Sequence, residues 1–392
     1  MIDFQFVSPT KLYFGHKKEY EIGKILRSYG YHKILMVYGQ GSIKKTGLYD
    51  IVTKSLQENL IDYLELSGIP ANPDVTFVRQ GVALIKKEPV DAILAVGGGS
   101  VIDVAKSIGD SYYYDGDPLD FNLGKATPTA CLPIGVILTI AAAGSETSPS
   151  CVISDYTTGF KKGFNSDLHR CKFAIEDPEL LMTLPPYQMG AGIIDIMMHS
   201  MERYFDAPSD NNQLCDAFAL ALCHNVYVAA MNWVKDPKDY DTLAQIMLAS
   251  SLSHNDLTNL GKEKAPWQVH PLEMAISGYN PKITHGAGCG VVYLGWAKYI
   301  YQKEVDRFAS FARAVFTLSE PNDEKAAIIG ITEMERFYRH LGMPVRLGEL
   351  GVTSKDLPSI VKLASGNGTR VIGNYPQSLE AKDMEAIYRL CL

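Results

Sequence analysis

The run AILAVGGGSVIDVAK, residues 92–106, is the strongest constraint on what this chain can fold into. An apolar strand-like stretch turns through Gly97, Gly98, Gly99 and Ser100 directly into a helical period, the signature of a strand feeding a helix through a tight turn. The unit recurs. KILMVYG (33–39), IDYLELSG (61–68) and LPIGVILT (132–139) read as strands, with helical periods reaching to about 59 and over 74–87. Alternation of this kind predicts a Rossmann-like, doubly wound parallel sheet. From Pro185 onward the pattern becomes helical, in stretches such as DNNQLCDAFALALCHNVYVAAMNWV and EKAAIIGITEMERFYRHL. The change falls in EDPELLMTLPPYQMG, where prolines interrupt the chain. We therefore expect an α/β domain over 1–183 and an all-α domain over 184–392, with the active site in the cleft between them.

Two turns can hold an anion. Gly97–Ser100 allows close backbone approach, and the helix after it presents N–H groups and a favourable dipole to a pyrophosphate; the same triplet also serves a plain strand-to-helix turn. After GVILT, the segment Ala143, Gly144, Ser145, Glu146, Thr147, Ser148 is a second small-residue turn, read as a helix start where Ser and Thr would act as caps. GQGSIKKTG (39–47) fails the G-x-G-x-x-G fingerprint because Lys44 occupies its sixth position. It offers Gln40, Ser42, Lys44 and Lys45 and no carboxylate before Asp50, which is compatible with NADP(H).

The segment YQMGAGIIDIMMHSMERY places Asp195, His199 and Glu202 at i, i+4 and i+7 on one face of an otherwise apolar helix. Burying such groups is costly unless they are paired or bound to metal. A lone Asp/His pair is more often a structural hydrogen bond than a site, so further ligands are needed. His270, on a helix, and His285, opening the next after a Pro-containing turn, are available. One carboxylate and three imidazoles suit Fe(II), Zn(II), Mn(II) or Co(II) rather than Mg or Ca. Among the other histidines only His254 retains a claim on this site, while Met197, Met198, Trp267, Trp296 and Phe205 read as core or pocket wall.

The 392 residues carry 37 basic and 44 acidic side chains, for a net charge of −7, with no basic tract to favour nucleic acid or an anionic membrane. The longest nearly apolar run, 133–143, is too short to span a bilayer, and the first residues carry no signal-peptide pattern. Seven cysteines without a C-x-x-C pair agree with a reducing, cytoplasmic setting.

Taken in order, FQFVSPTKLYFG, VYGQGSIKKTGLYD, GGGSVIDVAK, LTIAAAGSETS, TTGFKKGFNS, FAIEDPELLMTLP, GIIDIMMHSMERYFD and VHPLEMAISGYNPKITHGAG resemble the iron-containing (group III) alcohol dehydrogenases, in particular their butanol dehydrogenase and NADPH-dependent aldehyde reductase branch. The resemblance spans nearly the whole chain. It implies a dehydroquinate synthase-like architecture and reversible hydride transfer between NADP(H), preferred over NAD(H), and a primary alcohol or aldehyde. Asp195, His199, His270 and His285 match the family's metal ligands, for Fe2+ with Zn2+ or another divalent ion as alternatives. Gly97 to Ser100 and Asp103 match its pyrophosphate turn, Thr139 and Ser145 its second cofactor turn, and Lys161 its cofactor-side lysine. Gly39, Gln40 and Ser42 fall where the family distinguishes NAD from NADP. Family members commonly dimerise, so a homodimer acting on a small molecule is expected.

Two departures stand out. Many members carry a histidine four residues after the third ligand, where this chain has Met274, and a threonine where it has Ala143. A proton relay through the first position is therefore excluded. An NAD-dependent polyol or glycerol dehydrogenase of the same fold, or a nucleotide-binding protein that has lost catalysis, are the alternative readings.

Overall fold

The computed structural model describes residues 1–208, 212–262 and 267–392. The chain forms two compact units: Val7–Leu184, and Pro185–Leu392 together with Met1–Phe6. The first six residues thus belong with the helical unit rather than with the α/β unit expected to contain them. Ile2 N–H donates to the Gly261 carbonyl at 2.9 Å, and Met1 and Phe4 cover that glycine.

The α/β unit contains β1 (Lys11–Phe14), α1 (Ile22–Ser28), β2 (Lys33–Gly39), α2 (Ser42–Lys45), α3 (Leu48–Glu58), β3 (Asp62–Ile69), α4 (Val75–Lys87), β4 (Ala92–Gly97), α5 (Gly99–Ser111), α6 (Leu119–Leu123), β5 (Ile134–Leu138), β6 (Ser150–Asp155), β7 (Phe160–Asn165) and β8 (Phe173–Glu176). Six strands form one sheet in the order β1-β8-β5-β4-β2-β3, and every pair in it is parallel. Parallel strands covered on both faces should be apolar throughout, and β4 and β5 are buried at every position. Ile34, Met36, Leu94, Val96 and Ile137 pack with Ile22, Leu26, Val52 and Leu56 of α1 and α3. The alternate positions, Leu35, Val37, Ile93 and Ala95, are equally buried, and α5 packs along the central strands. β1 is an edge strand whose partner is β8 of the same chain.

One local expectation is corrected. The turn after β5 does not start a helix; its chain enters the antiparallel β6–β7 hairpin. Pro149 follows Ser148, and a residue before proline is driven out of the helical region toward extended conformations.

The helical unit contains α7 (Pro186–Phe205), α8 (Gln213–Lys235), α9 (Tyr240–Ser253), α10 (Val269–Tyr279), α11 (His285–Ile300), α12 (Val305–Phe316), α13 (Asp323–His340), α14 (Leu357–Ala364) and α15 (Ala381–Leu390). Residues 210 and 211 of the stretch read as the α8 helix lie outside the described residues. By length and composition alone α8 could cross a membrane. It packs instead against α7, α9 and α12. α7 is buried over nearly its whole length, as its apolar sequence requires.

Candidate metal centre and cofactor loops

α7 carries Asp195 and His199 one turn apart, both with about 3% exposure, and Glu202 two turns beyond Asp195. α10 is docked onto α7 by Glu202, whose carboxylate accepts from the backbone N–H of Gln268 and Val269, each at 2.6 Å, and of His270 at 3.1 Å. These are first-turn donors that lack intrahelical partners, and a carboxylate there also meets the favourable end of the helix dipole. Glu202 further binds Nδ1 of His270, leaving Nε2 directed at Asp195. α11 reaches α7 through Gly286, where any side chain would collide with the Ala191 carbonyl. This backbone-to-backbone approach sets the neighbouring His285 beside Asp195. Glu273 of α10 binds Nδ1 of His285 and so leaves its Nε2 inward as well.

Asp195 Oδ1 lies 3.6 Å from His270 Nε2, 3.8 Å from His285 Nε2 and 3.9 Å from His199 Nδ1. These separations are too long for hydrogen bonds. Among the described residues, Asp195 Oδ1, His199 Nδ1 and His270 Nε2 are buried with no hydrogen-bond partner. Bond lengths of about 2.0–2.2 Å to a tetrahedral ion would place neighbouring donors roughly 3.3–3.6 Å apart, so the donors fit a divalent transition ion in type, spacing and unsatisfied lone pairs. The carboxylates behind the imidazoles are the outer partners that such ligands use.

Donor atoms of Asp195, His270, His285 and Cys289 all lie within 4.8 Å of one another. His199 stands just beside this set, its ring stacked on His254 at 4.2 Å and 4.7 Å from that of His270. Trp267 packs at 4.6 Å on His270 and forms part of the wall. Burial, reinforced by His254 and His270, holds the His199 pKa well below the ordinary histidine value. Burial opposes charge on His270 too, but Glu202 and Asp195 outweigh it and push its pKa up to about 9.

Three residues escaped the sequence reading, two at this site and one in the α/β unit. Glu273 follows His270 by three residues and Cys289 follows His285 by four, so each shares a helix face with a candidate ligand, and that spacing was the available signal. Lys106, fully buried in α5, donates to the carbonyls of Ser148 at 3.0 Å and Ser150 at 2.8 Å. It anchors the start of β6, and nothing local in the sequence distinguishes it from a solvated lysine.

In the α/β unit, β2 lies between β3 and β4, so the strand order reverses between β2 and β4, the place where sheets of this class bind ligands at their carboxyl ends. Gly39 ends β2, Gly97 ends β4, and Thr139 follows β5, the next strand. Thr139 N–H donates to the Gly97 carbonyl at 3.1 Å. A Cβ on Gly99 would lie 3.2 Å from the methyl of Ala143, so the two small-residue turns touch. Asp103 and Ser145 are bonded to each other, Oγ to Oδ1 at 2.7 Å, tying the second turn to α5. Lys161 of β7 donates to Asn72 Oδ1 at 2.9 Å. Gln40 and Ser42 are exposed, and Lys44 lies over the rings of Tyr38 and Tyr49. Both hydroxyls donate to Glu65 of β3, each at 2.6 Å, which puts a carboxylate near a loop that has none of its own.

Family comparisons cover both units. The family model for iron-containing alcohol dehydrogenase matches residues 9–178, and that for the Fe-containing alcohol dehydrogenase family, C-terminal, matches 190–392. NADH-dependent butanol dehydrogenase A of Clostridium acetobutylicum is 36% identical over 391 residues, covering 99% of each chain. The NADPH-dependent aldehyde reductase YqhD of Escherichia coli is 30% identical over 381 residues, covering 95% of each. The crystal structure of NADH-dependent butanol dehydrogenase A from Thermotoga maritima matches with a TM-score of 0.95 at 32% identity, covering 100% of this chain and 99% of that one. With both halves matched and relatives similar from end to end, the chain belongs to the iron-containing alcohol dehydrogenase family.

Proposed function

We propose that this protein reversibly transfers a hydride between a nicotinamide dinucleotide and a primary alcohol or aldehyde, using a divalent ion held by Asp195, His199, His270 and His285. The observation that carries the reading is the group of buried, unsatisfied donors, Asp195 Oδ1 and His270 Nε2 with His285 Nε2 close by, backed by Glu202 and Glu273. When bound, the dinucleotide carries the hydride and the ion withdraws charge from the substrate oxygen. Glu202 and Glu273 fix the ring orientation of His270 and His285 with Nε2 toward the site, where a bound ion would take the place of the proton that the raised pKa otherwise holds on His270. Gly97–Ser100 and the first turn of α5 present backbone N–H groups to a pyrophosphate. Met274 cannot transfer a proton, so water, a ribose hydroxyl or another residue must supply it.

The finer choice we propose is NADP(H), supported by Lys44 and Lys45 in a loop without carboxylates. NAD(H) is the second reading: Glu65 stands next to Lys44 through Tyr38 and Tyr49, and butanol dehydrogenase relatives are named NADH-dependent. A cytosolic homodimer goes with this function. Metal analysis of purified protein, combined with butyraldehyde reduction followed by NADPH and NADH absorbance, tests the proposal. Bound metal together with reduction is expected; bound metal without reduction by either dinucleotide would favour a non-catalytic nucleotide binder.

A further inference from the structure

We propose that Cys289 is itself a ligand of the centre formed by Asp195, His270 and His285, giving it a mixed oxygen, nitrogen and sulfur donor set. The inference rests on the metal reading above and adds a residue to it. Cys289 Sγ lies 3.8 Å from His285 Nε2, the nitrogen that the Glu273 bond to Nδ1 leaves facing inward. Sulfur, carboxylate oxygen and both ring nitrogens fall within a single 4.8 Å set. One helical turn separates His285 from Cys289, so α11 presents both side chains on one face.

The rest of the set points independently to an ion. Asp195 Oδ1 and His270 Nε2 are buried, face the same point and have no hydrogen-bond partner among the described residues. In a tetrahedral centre with a metal–sulfur bond of about 2.3 Å and a metal–nitrogen bond of about 2.0–2.1 Å, sulfur and nitrogen stand about 3.6 Å apart, close to the separation here. His199 is not in the mutual set, although its Nδ1 lies 3.9 Å from Asp195 Oδ1. His199, from α7, and Cys289, from α11, therefore flank the same three donors, and the thiolate joins the ligands already assigned. Ligation replaces the S–H bond by a sulfur–metal bond; the proton leaves to solvent and no oxidation state changes. A thiolate makes the set softer, favouring Zn2+ and Co2+ over Mn2+.

The test is the absorption spectrum of the full-length protein loaded with Co2+. Wild type is expected to show visible ligand-field bands and a near-ultraviolet thiolate-to-cobalt charge-transfer band. Cys289→Ala, and Cys289→Leu as the variant that fills the space, should retain the first and lose the second. The preference for Zn2+ over Mn2+, measured by competition, should fall about tenfold in either variant. Ligand-field bands without charge transfer in wild type, or charge transfer surviving both substitutions, would overturn the thiolate ligand and leave the metal reading standing. No cobalt bands at all would overturn both. Absence of charge transfer in wild type overturns the thiolate ligand even if the variants fold poorly.

Discussion

Glu202 accepts hydrogen bonds from both the backbone N–H and the ring Nδ1 of His270. One carboxylate thus caps α10 and orients a candidate ligand, and because Glu202 shares a helix face with Asp195, the placement of α10 and the geometry of the donor set are the same event. Replacing Glu202 by Gln keeps the volume but removes the charge and puts a donor against N–H groups. We expect metal affinity to fall ten- to hundredfold, the usual cost of losing an outer partner, measured by chelator competition.

His285 enters the donor set from a different helix than His270 does. Substituting it with Ala is expected to lower metal content and turnover together. Chelator treatment of the wild-type protein should abolish turnover, and added Fe2+, Zn2+ or Co2+ should restore it. Full turnover in metal-depleted His285→Ala protein would reject a Lewis-acid role.

Gly99 faces Ala143 at a distance that leaves room for no more than a hydrogen without adjustment. Gly99→Val pushes the two turns apart, so the dissociation constant for either dinucleotide, measured by fluorescence titration, is expected to rise at least about tenfold. Metal content should not change, because the donors lie in the other unit.

Lys44 lies over two tyrosine rings with its amine next to the loop that follows β2. If it meets a 2′-phosphate, Lys44→Ala raises KM for NADPH about tenfold and leaves KM for NADH nearly unchanged. Equal effects on both cofactors would remove the basis for the NADP(H) preference.

Glu19 is buried next to Asp177, and burial, with repulsion from Asp177 and Glu179, pushes its pKa up to about 7 from an ordinary 4.5. The folded state therefore holds a proton that the unfolded chain releases. Its contribution to stability is complete below about pH 4.5 and is lost as the pH rises through 7, a change of roughly 3 kcal/mol. Glu19→Gln should melt with wild type near pH 4.5 and several degrees higher at pH 8. Identical melting profiles from pH 5 to 8 would contradict the assignment.

Local pattern alone determined much of this protein. Alternation of apolar strands with helical periods specifies a parallel sheet because each strand buried on both faces must be apolar throughout, and Ile34 to Val37 with Ile93 to Val96 are. The abrupt AILAV-to-glycine junction marks the carboxyl end of β4, where a side chain on Gly97 would run into Val101 and one on Gly98 into Ile140. Asp195 and His199 were visible as polar residues on an apolar helix. Which carboxylate orients which imidazole was not, because Glu202 meets His270 and Glu273 meets His285 across loops whose path no local rule dictates. Cys289 was one of seven cysteines that no sequence pattern distinguished, and only the approach of α11 to α7 at Gly286, a contact between segments nearly a hundred residues apart, gathered Asp195, His270, His285 and this sulfur around one point. The carboxylate of Glu65 beside Lys44 is likewise a product of strand order: β3 pairs with β2, and that neighbour relation is decided by packing of the whole sheet.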